Sequence, residues 1–338
     1  MNVWLKRLLL CGASTSIALL VAEAAVRTFD PQDLSGTHKI ATASGLLVNK
    51  SSGRARHQVG ERVVTYTFSP PHLRDSRLEP GEKTILCLGD SFTFGWLLAA
   101  QHTFVAVLQG LADAQCGETY NFVNAAMPGW GAAEYVAFTE DFGDQIRPAI
   151  VLVFFNFRDI ERAPSARVYS LLDETGFGLR RNRVPRSTLK LVVDALPGYE
   201  WLIEHSHLLR FCRNSIARSG LAGKPASSRT DAPRTPGAQA ALEASVRLGQ
   251  ALFLRLNAWC RERGAELYVT TTGWHLPVEG TSVQGPATHA FLDGASTFFE
   301  AQGIPFRDIS PELQARAGAT PEDFVIPEDG HPNERGAE

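Results

Sequence analysis

ILCLGDSFTFGW, residues 85–96, decides how the rest of the chain is read. Four apolar residues, Ile85 to Leu88, stop at Gly89, and an acid, a serine and a spaced pair of phenylalanines follow at once. A short apolar run ended by glycine predicts a buried strand closing in a tight turn. Ser91 then stands just past the strand's carboxyl end. Two roles fit that place: a nucleophile presented at the edge of a sheet, or a hydroxyl capping the helix after the turn.

Downstream of this strand the pattern alternates. TFVAVLQGLADA carries Phe104, Val107, Leu108 and Leu111 at helical spacing and stops at Cys116-Gly117. YNFVNAA reads as a second strand and GAAEYVAFTEDFGDQI as a second helix. PAIVLVFF is a third strand, apolar almost throughout, as expected when both sheet faces are covered. A helix over 238–263, the strand AELYVTTT, the helix ATHAFLDGASTFFEAQG and a short strand IPFRDIS complete the series. The predicted fold of residues 81–338 is a three-layer α/β/α sandwich with a mostly parallel five-stranded sheet. An insertion at about 161–237 interrupts it, with a hairpin expected around DETG, a mixed segment YEWLIEHSHLLRF and the linker GKPASSRTDAPRTPG. Residues 28–80 show little periodicity beyond the β-like RVVTYTF and read as an irregular extension.

At the N-terminus, Lys6 and Arg7 precede fifteen uncharged residues, LLLCGASTSIALLVA, and Glu23 and Arg27 follow. Basic residues before such a stretch point to a membrane or to export, with the basic end inside. Fifteen residues are short of the about 20 a spanning helix needs, and continuing through Glu23 to Val26 brings the segment near that length. AEA at 22–24 also suits a signal peptidase. Residues 1–27 are read as an uncleaved anchor in preference to a cleaved signal, with the rest of the chain extracytoplasmic, facing the periplasm. The 338 residues carry 33 basic and 36 acidic side chains, a net charge of −3, so no basic excess favours nucleic acid as a partner. The five cysteines have no CxxC or CxxH spacing, and neither a metal nor a cofactor is implied. His205 and His207, two apart on an expected helix, would not face each other and are read as structural or as part of a lid.

Polar clusters fall at the expected carboxyl ends of the strands, where parallel α/β sheets collect ligands. They are GDSFTFG, NAAMPGWG, NFRDI and TTGWH, with EDGHPN at 328–333 after the last strand. Acyl transfer needs a nucleophile, a base, a group to orient the base, and donors for the oxyanion. Ser91, His331, and Asp329 or Glu328 supply the first three types; the N–H groups of Ser91 and Gly129 with a third-cluster side chain supply the last. DGHPN also reads as a plain surface turn, and His275 competes as a base.

LGDSFTFG, VNAAMPGWG, an apolar strand ending in RDI, and DGHPN, in that order, resemble the SGNH hydrolases, the GDSL-like esterase/lipase superfamily. The look is that of membrane-anchored bacterial members, whose short anchor ends in an acid and an arginine, as Glu23 and Arg27 do here. The resemblance implies Ser91 as nucleophile, His331 as base, Asp329 as its acid and Gly129 as an oxyanion donor. It implies that His275 is a pocket-wall residue. Where the family usually has Asn-Asp after the third strand, this chain has Arg158-Asp159, with Asn156 two residues earlier. Arg158 or Asn156 is then the third oxyanion or substrate-binding donor. Asn333 and Gly336 resemble the start of the family's final helix.

The implied function is a serine-dependent esterase for acyl esters, O-acetyl esters first, on cell-envelope glycans or lipids. An O-acyltransferase modifying an extracytoplasmic polysaccharide uses the same acyl-enzyme and differs in whether water is excluded. A catalytically inactive glycan-binding module and a structural partner in an envelope complex are the alternatives from other classes.

Overall fold

The structure, a computed structural model, describes residues 3–156, 158–173, 175–184, 196–219, 236–272, 286–318, 320–327 and 329–338. After the N-terminal helix α1 (Val3–Phe29) come five strands, β1 (Lys39–Ala41), β2 (Leu47–Asn49), β3 (Gly53–Val59), β4 (Arg62–Ser69) and β5 (Leu73–Arg74). The alternating part runs β6 (Lys83–Leu88), α2 (Ser91–Phe94), α3 (Phe104–Gln115), β7 (Tyr120–Asn124), α4 (Ala132–Ile146), β8 (Ile150–Phe155) and α5 (Asp159–Ala166). The strands β9 (Tyr169–Leu171) and β10 (Leu179–Arg181) and the helices α6 (Tyr199–His205) and α7 (His207–Arg218) follow. The series resumes with α8 (Pro236–Glu262), β11 (Glu266–Thr271), α9 (Pro286–Ala301), β12 (Phe306–Arg307), α10 (Ser310–Ala317) and a short α11 (Glu334–Ala337).

By internal contact the chain forms two units. One comprises Met1–Thr37, Ala55–Thr65 and Arg186–Ser227; the other comprises His38–Arg54, Tyr66–Pro185 and Ser228–Glu338.

The larger unit holds a five-stranded sheet of order β12-β11-β8-β6-β7. Its registered pairs are parallel, with Leu86 opposite both Val123 and Val151. Strand residues alternate between two apolar faces. Leu86, Leu88, Val123, Val151, Val153, Leu267 and Val269 join the cores of α4, α8 and α9, while Ile85, Cys87 and Phe154 pack with Val105, Phe104 and Leu108 of α3. Burial on both faces is why these strands read as unbroken apolar runs; each fully buried Leu or Val contributes about 1.5–3 kcal/mol. The chain leaves β6 to β7 on one side and returns to β8 on the other. This switch opens a crevice at the carboxyl ends of the central strands.

Two sequence expectations are corrected here. Residues 28–80, expected to be irregular, contain β1 to β5. Strands of two or three residues are too short to show alternation, and β3 (GRARHQV) buries only Ala55. Secondly, α5 packs against α4, α8 and α9. It belongs to the helical layer, and the insertion begins after it. The hairpin expected there is β9–β10, with Arg180 opposite Ser170; the linker lies largely outside the described residues.

In the smaller unit, α1 is 27 residues long, none of it buried, with a mean hydropathy of 1.9 in its most apolar window. At 1.5 Å per residue it measures about 40 Å, beyond the about 30 Å of a bilayer's hydrocarbon. Among the described residues it is the one helix long and apolar enough to cross a membrane.

Candidate active site

The turn after β6 is tight. A Cβ on Gly89 would lie 1.9 Å from Thr93 Oγ1, so only glycine lets α2 fold back on the strand end. Asp90, not Ser91, caps α2, accepting the Phe92 N–H at 2.9 Å. Ser91 is the first residue of that single turn, 7% exposed and free of the capping duty its position suggested.

His331 arrives on the loop after α10. The Ile326 N–H donates to the His331 carbonyl at 2.7 Å, and the Asn333 side chain donates to the carbonyls of Asp323 and Val325. These bonds hold the loop so that His331 Nε2 lies 2.8 Å from Ser91 Oγ and Nδ1 lies 2.5 Å from Asp329 Oδ1. With Asp329 ionised, Nδ1–H donates to the carboxylate, which leaves the Nε2 lone pair for the serine hydroxyl proton. Burial alone would raise the Asp329 pKa. The hydrogen bond and charge of His331, with a hydrogen bond from Trp96, outweigh it and hold the carboxyl below its ordinary value. Phe92 and Trp96 also pack on the imidazole, with ring centroids 5.0 and 6.1 Å away. Sequence reasoning missed Trp96, because it lies five residues past Ser91 in no expected strand-end cluster.

Beneath Ser91 is a buried charge network. Arg162 Nη1 donates to Asp90 Oδ2 at 2.8 Å, and Asn156 Nδ2 donates to Asp90 Oδ1 at 3.3 Å. Asp159, wholly buried, accepts from Tyr135 Oη and the Asn156 N–H, both at 2.8 Å. Burial, then the neighbouring Asp90 charge, pushes Asp159 well up, with Arg162 opposing. For Arg162, burial opposes the charged form, but Asp90 and Asp159 hold its proton on more firmly than usual. This network, whose members Tyr135 and Arg162 lie outside the strand-end motifs, ties the ends of β6 and β8 to α5.

The oxyanion candidates separate. Asn156 is fully buried and bonded to the residue preceding Ser91. Arg158 is half-buried at the start of α5, with a backbone φ of −113°. Gly129 lies exposed on the loop after β7 at φ +91°, a left-handed conformation that favours glycine. His275 and Glu328 lie outside the described residues. His205 and His207 sit in two helices rather than one, separated by Ser206, which caps α7.

The segment carrying Trp96 is braced by β4 and β5. Buried Arg74 donates to the carbonyls of Phe94 and Leu98, the latter at 2.7 Å, and packs on the rings of Tyr66 and Phe94. Tyr66 Oη accepts the Leu97 N–H at 3.0 Å, and burial pushes the Tyr66 phenol up to about 12.

No family profile matches the chain. No curated protein matches it in sequence. Among solved structures it is similar to TesA at 16% identity, over 75% of this chain and 92% of that one, with a TM-score of 0.40. It is also similar to a lipolytic protein of the G-D-S-L family from Desulfitobacterium hafniense, at 14% identity over 76% and 94% of the two chains, TM-score 0.40. A third is a catalytic mutant of Axe2, an acetylxylan esterase from Geobacillus stearothermophilus, at 14% identity over 76% and 89%, TM-score 0.41. At 14–16% identity and TM-scores of 0.40–0.41, these likenesses carry no residue role or chemistry to this chain.

Proposed function

We propose that the chain is a serine-dependent esterase of the SGNH type, acting on acyl esters, with Ser91, His331 and Asp329 as its catalytic residues. The observation that carries this reading is the continuous hydrogen-bonded line from Ser91 Oγ through both nitrogens of His331 to Asp329. His331 Nε2 takes the hydroxyl proton as Ser91 Oγ bonds to the ester carbonyl carbon. The tetrahedral intermediate collapses, the C–O bond to the alcohol breaks, and His331 returns the proton to the leaving oxygen. Water repeats the sequence on the acyl-enzyme and releases the acid. In this reading Asn156 is the side-chain oxyanion donor with the N–H groups of Ser91 and Gly129. Its carboxamide has a second N–H beyond the one given to Asp90. An acyl ester on an envelope glycan or lipid, O-acetyl first, suits a site on a membrane-held chain.

The membrane attachment is part of the same reading. The Glu23 carboxylate of α1 accepts the N–H groups of His207 and Leu208, both at 2.9 Å, and Ser206 Oγ at 2.8 Å. Cleavage after Ala24 would remove that cap, so an uncleaved anchor fits better than a signal peptide.

Fluorophosphonate labelling of the full chain, with the modified residue located by mass spectrometry, tests the chemistry. The expected result is label on Ser91 that is lost in His331→Ala. A folded wild-type chain that takes up no label overturns the reading and favours the inactive binding module.

A further inference from the structure

We propose that α6 and α7 lie flat on the phospholipid bilayer that α1 enters, with Trp201, Phe211, Cys212 and Ile216 in its headgroup region. The inference rests on the membrane-anchor reading of α1.

The observation is an inverted helix. In α7, Leu208, Cys212 and Ile216 recur every four residues along one side, His207, Arg210 and Asn214 form the other, and Phe211 lies at the border between them. In a soluble protein the apolar side of such a helix faces the core. Here the polar side is the one bound to the protein. The Gln32 N–H donates to His207 Nδ1 at 2.9 Å, Arg210 donates to the Ser35 carbonyl, and Asn214 Nδ2 donates to Gln32 Oε1 at 3.1 Å. The apolar side is left open: Ile216 is 53% exposed, Phe211 39%, and Cys212 is exposed as well. In α6, the preceding helix, Trp201 is 62% and Leu202 44% exposed.

What covers this face follows from its neighbour. Glu23, near the end of α1, caps the start of α7, and Arg27 donates to the His205 carbonyl at 3.2 Å. If α1 crosses the bilayer, α7 therefore begins where α1 emerges. Twelve residues, about 18 Å of helix, are too few to cross, so an amphipathic helix at this place lies along the surface. The exposed Trp201 of the preceding α6 and the exposed Arg213 of α7 suit the interface and anionic headgroups.

The test uses full-length chains with one exposed thiol each. Cys11, Cys116 and Cys212 are exposed, and Cys87 and Cys260 are buried. Serine replacement of two exposed cysteines at a time leaves Cys11 in α1, Cys212 in α7, or Cys116 past α3 as a control. Each chain carries an environment-sensitive fluorophore and is reconstituted into phosphatidylcholine–phosphatidylglycerol vesicles with or without brominated phospholipid. The expected result is blue-shifted, bromine-quenched emission at Cys11 and Cys212, with water-like, unquenched emission at Cys116. Quenching at Cys11 with a water-like Cys212 overturns the proposal and leaves the anchor intact. If that Cys212 label instead self-quenches as the protein-to-lipid ratio rises, the face belongs to a second copy. Vesicle-bound chains quenched at neither Cys11 nor Cys212 overturn the anchor reading and this one together.

Discussion

Asp329 accepts from both His331 and Trp96, and the two donors have separable consequences. A carboxyl held below its ordinary value contributes stability that is fully present above about pH 4, the unfolded value, and is lost as pH falls through the lower folded value. Trp96→Phe removes the indole donor and keeps most of the ring packing. Its acid-unfolding midpoint, followed by far-UV circular dichroism, is expected at higher pH than wild type. Its kcat for a soluble ester is expected about tenfold lower with KM little changed, as for loss of one hydrogen bond to a charged group. A variant with reduced kcat and an unmoved acid midpoint would show that Trp96 acts by packing alone. The oxyanion assignment makes a sharper contrast. Asn156→Ala is expected to cost about 100- to 1,000-fold in kcat, the usual loss for one oxyanion donor. Arg158→Ala is expected to leave kcat within about threefold, since a half-buried residue away from Asp90 is not a donor in this reading. Steady-state kinetics in which the two variants exchange ranks would return the role to Arg158. The members of the proposed triad were named from two short motifs, one directly after β6 and one on the loop after α10. Trp96 and Arg162 were not, because their partners are far away in sequence: Arg162 meets Asp90 across 72 residues, and nothing local marks either as a donor.

At the scale of elements, the start of α4 carries a pH-dependent cost. Glu134 accepts the Gly131 N–H at 3.1 Å, half of a capping box, and burial pushes its carboxyl up to about 7. Because the folded state holds this proton more firmly than the unfolded chain, the contribution of Glu134 is best below about pH 4.5. It declines as pH rises to about 7 and is flat above. Glu134→Gln keeps an acceptor for Gly131 and removes the titration. Subtracting wild-type from variant unfolding free energies, measured by urea denaturation, should give a difference that grows in favour of the variant between about pH 4.5 and 7, by at most about 3 kcal/mol. A difference that is constant with pH would mean that Glu134 stays ionised in the folded state. The helices α3, α4, α8 and α9 and the five sheet strands were legible for reasons visible at such ends. Thr103 caps α3 with its side chain on the Ala106 N–H, and β6 and β8 are apolar because both of their faces are covered. Before Lys83, β4 showed as the β-like RVVTYTF; β1, β2, β3 and β5 did not show, since their stability comes from partners elsewhere. Arg74 in the two-residue β5 is held by carbonyls twenty and twenty-four residues downstream, and no window of sequence shows that.

Across the whole molecule, the proposed chemistry and the proposed membrane attachment fall in different units. Ser91, Asp329 and His331 fall in the unit built on the five-stranded sheet; α1, α6 and α7 fall in the other. The joint that matters in the second unit is Glu23, whose carboxylate takes two backbone N–H groups and one hydroxyl at the start of α7. Removing such a cap typically costs about 1 kcal/mol of helix stability. Glu23→Ala in the full chain is therefore expected to speed amide hydrogen exchange over residues 206–210 by about fivefold, where exchange reports local opening. Turnover of a soluble ester should be unchanged, because no catalytic group of the proposed mechanism lies in that unit. The same joint bears on processing. A chain isolated from membranes is expected to retain Glu23, and its intact mass to include the residues before Ala25. If the isolated chain begins at Ala25 and residues 206–210 are nonetheless as protected as in the uncut chain, the cap is dispensable and α1 is a signal, not an anchor. Faster exchange in Glu23→Ala together with an uncut N-terminus would mean that a carboxylate in the last turns of α1 caps the helix beside it.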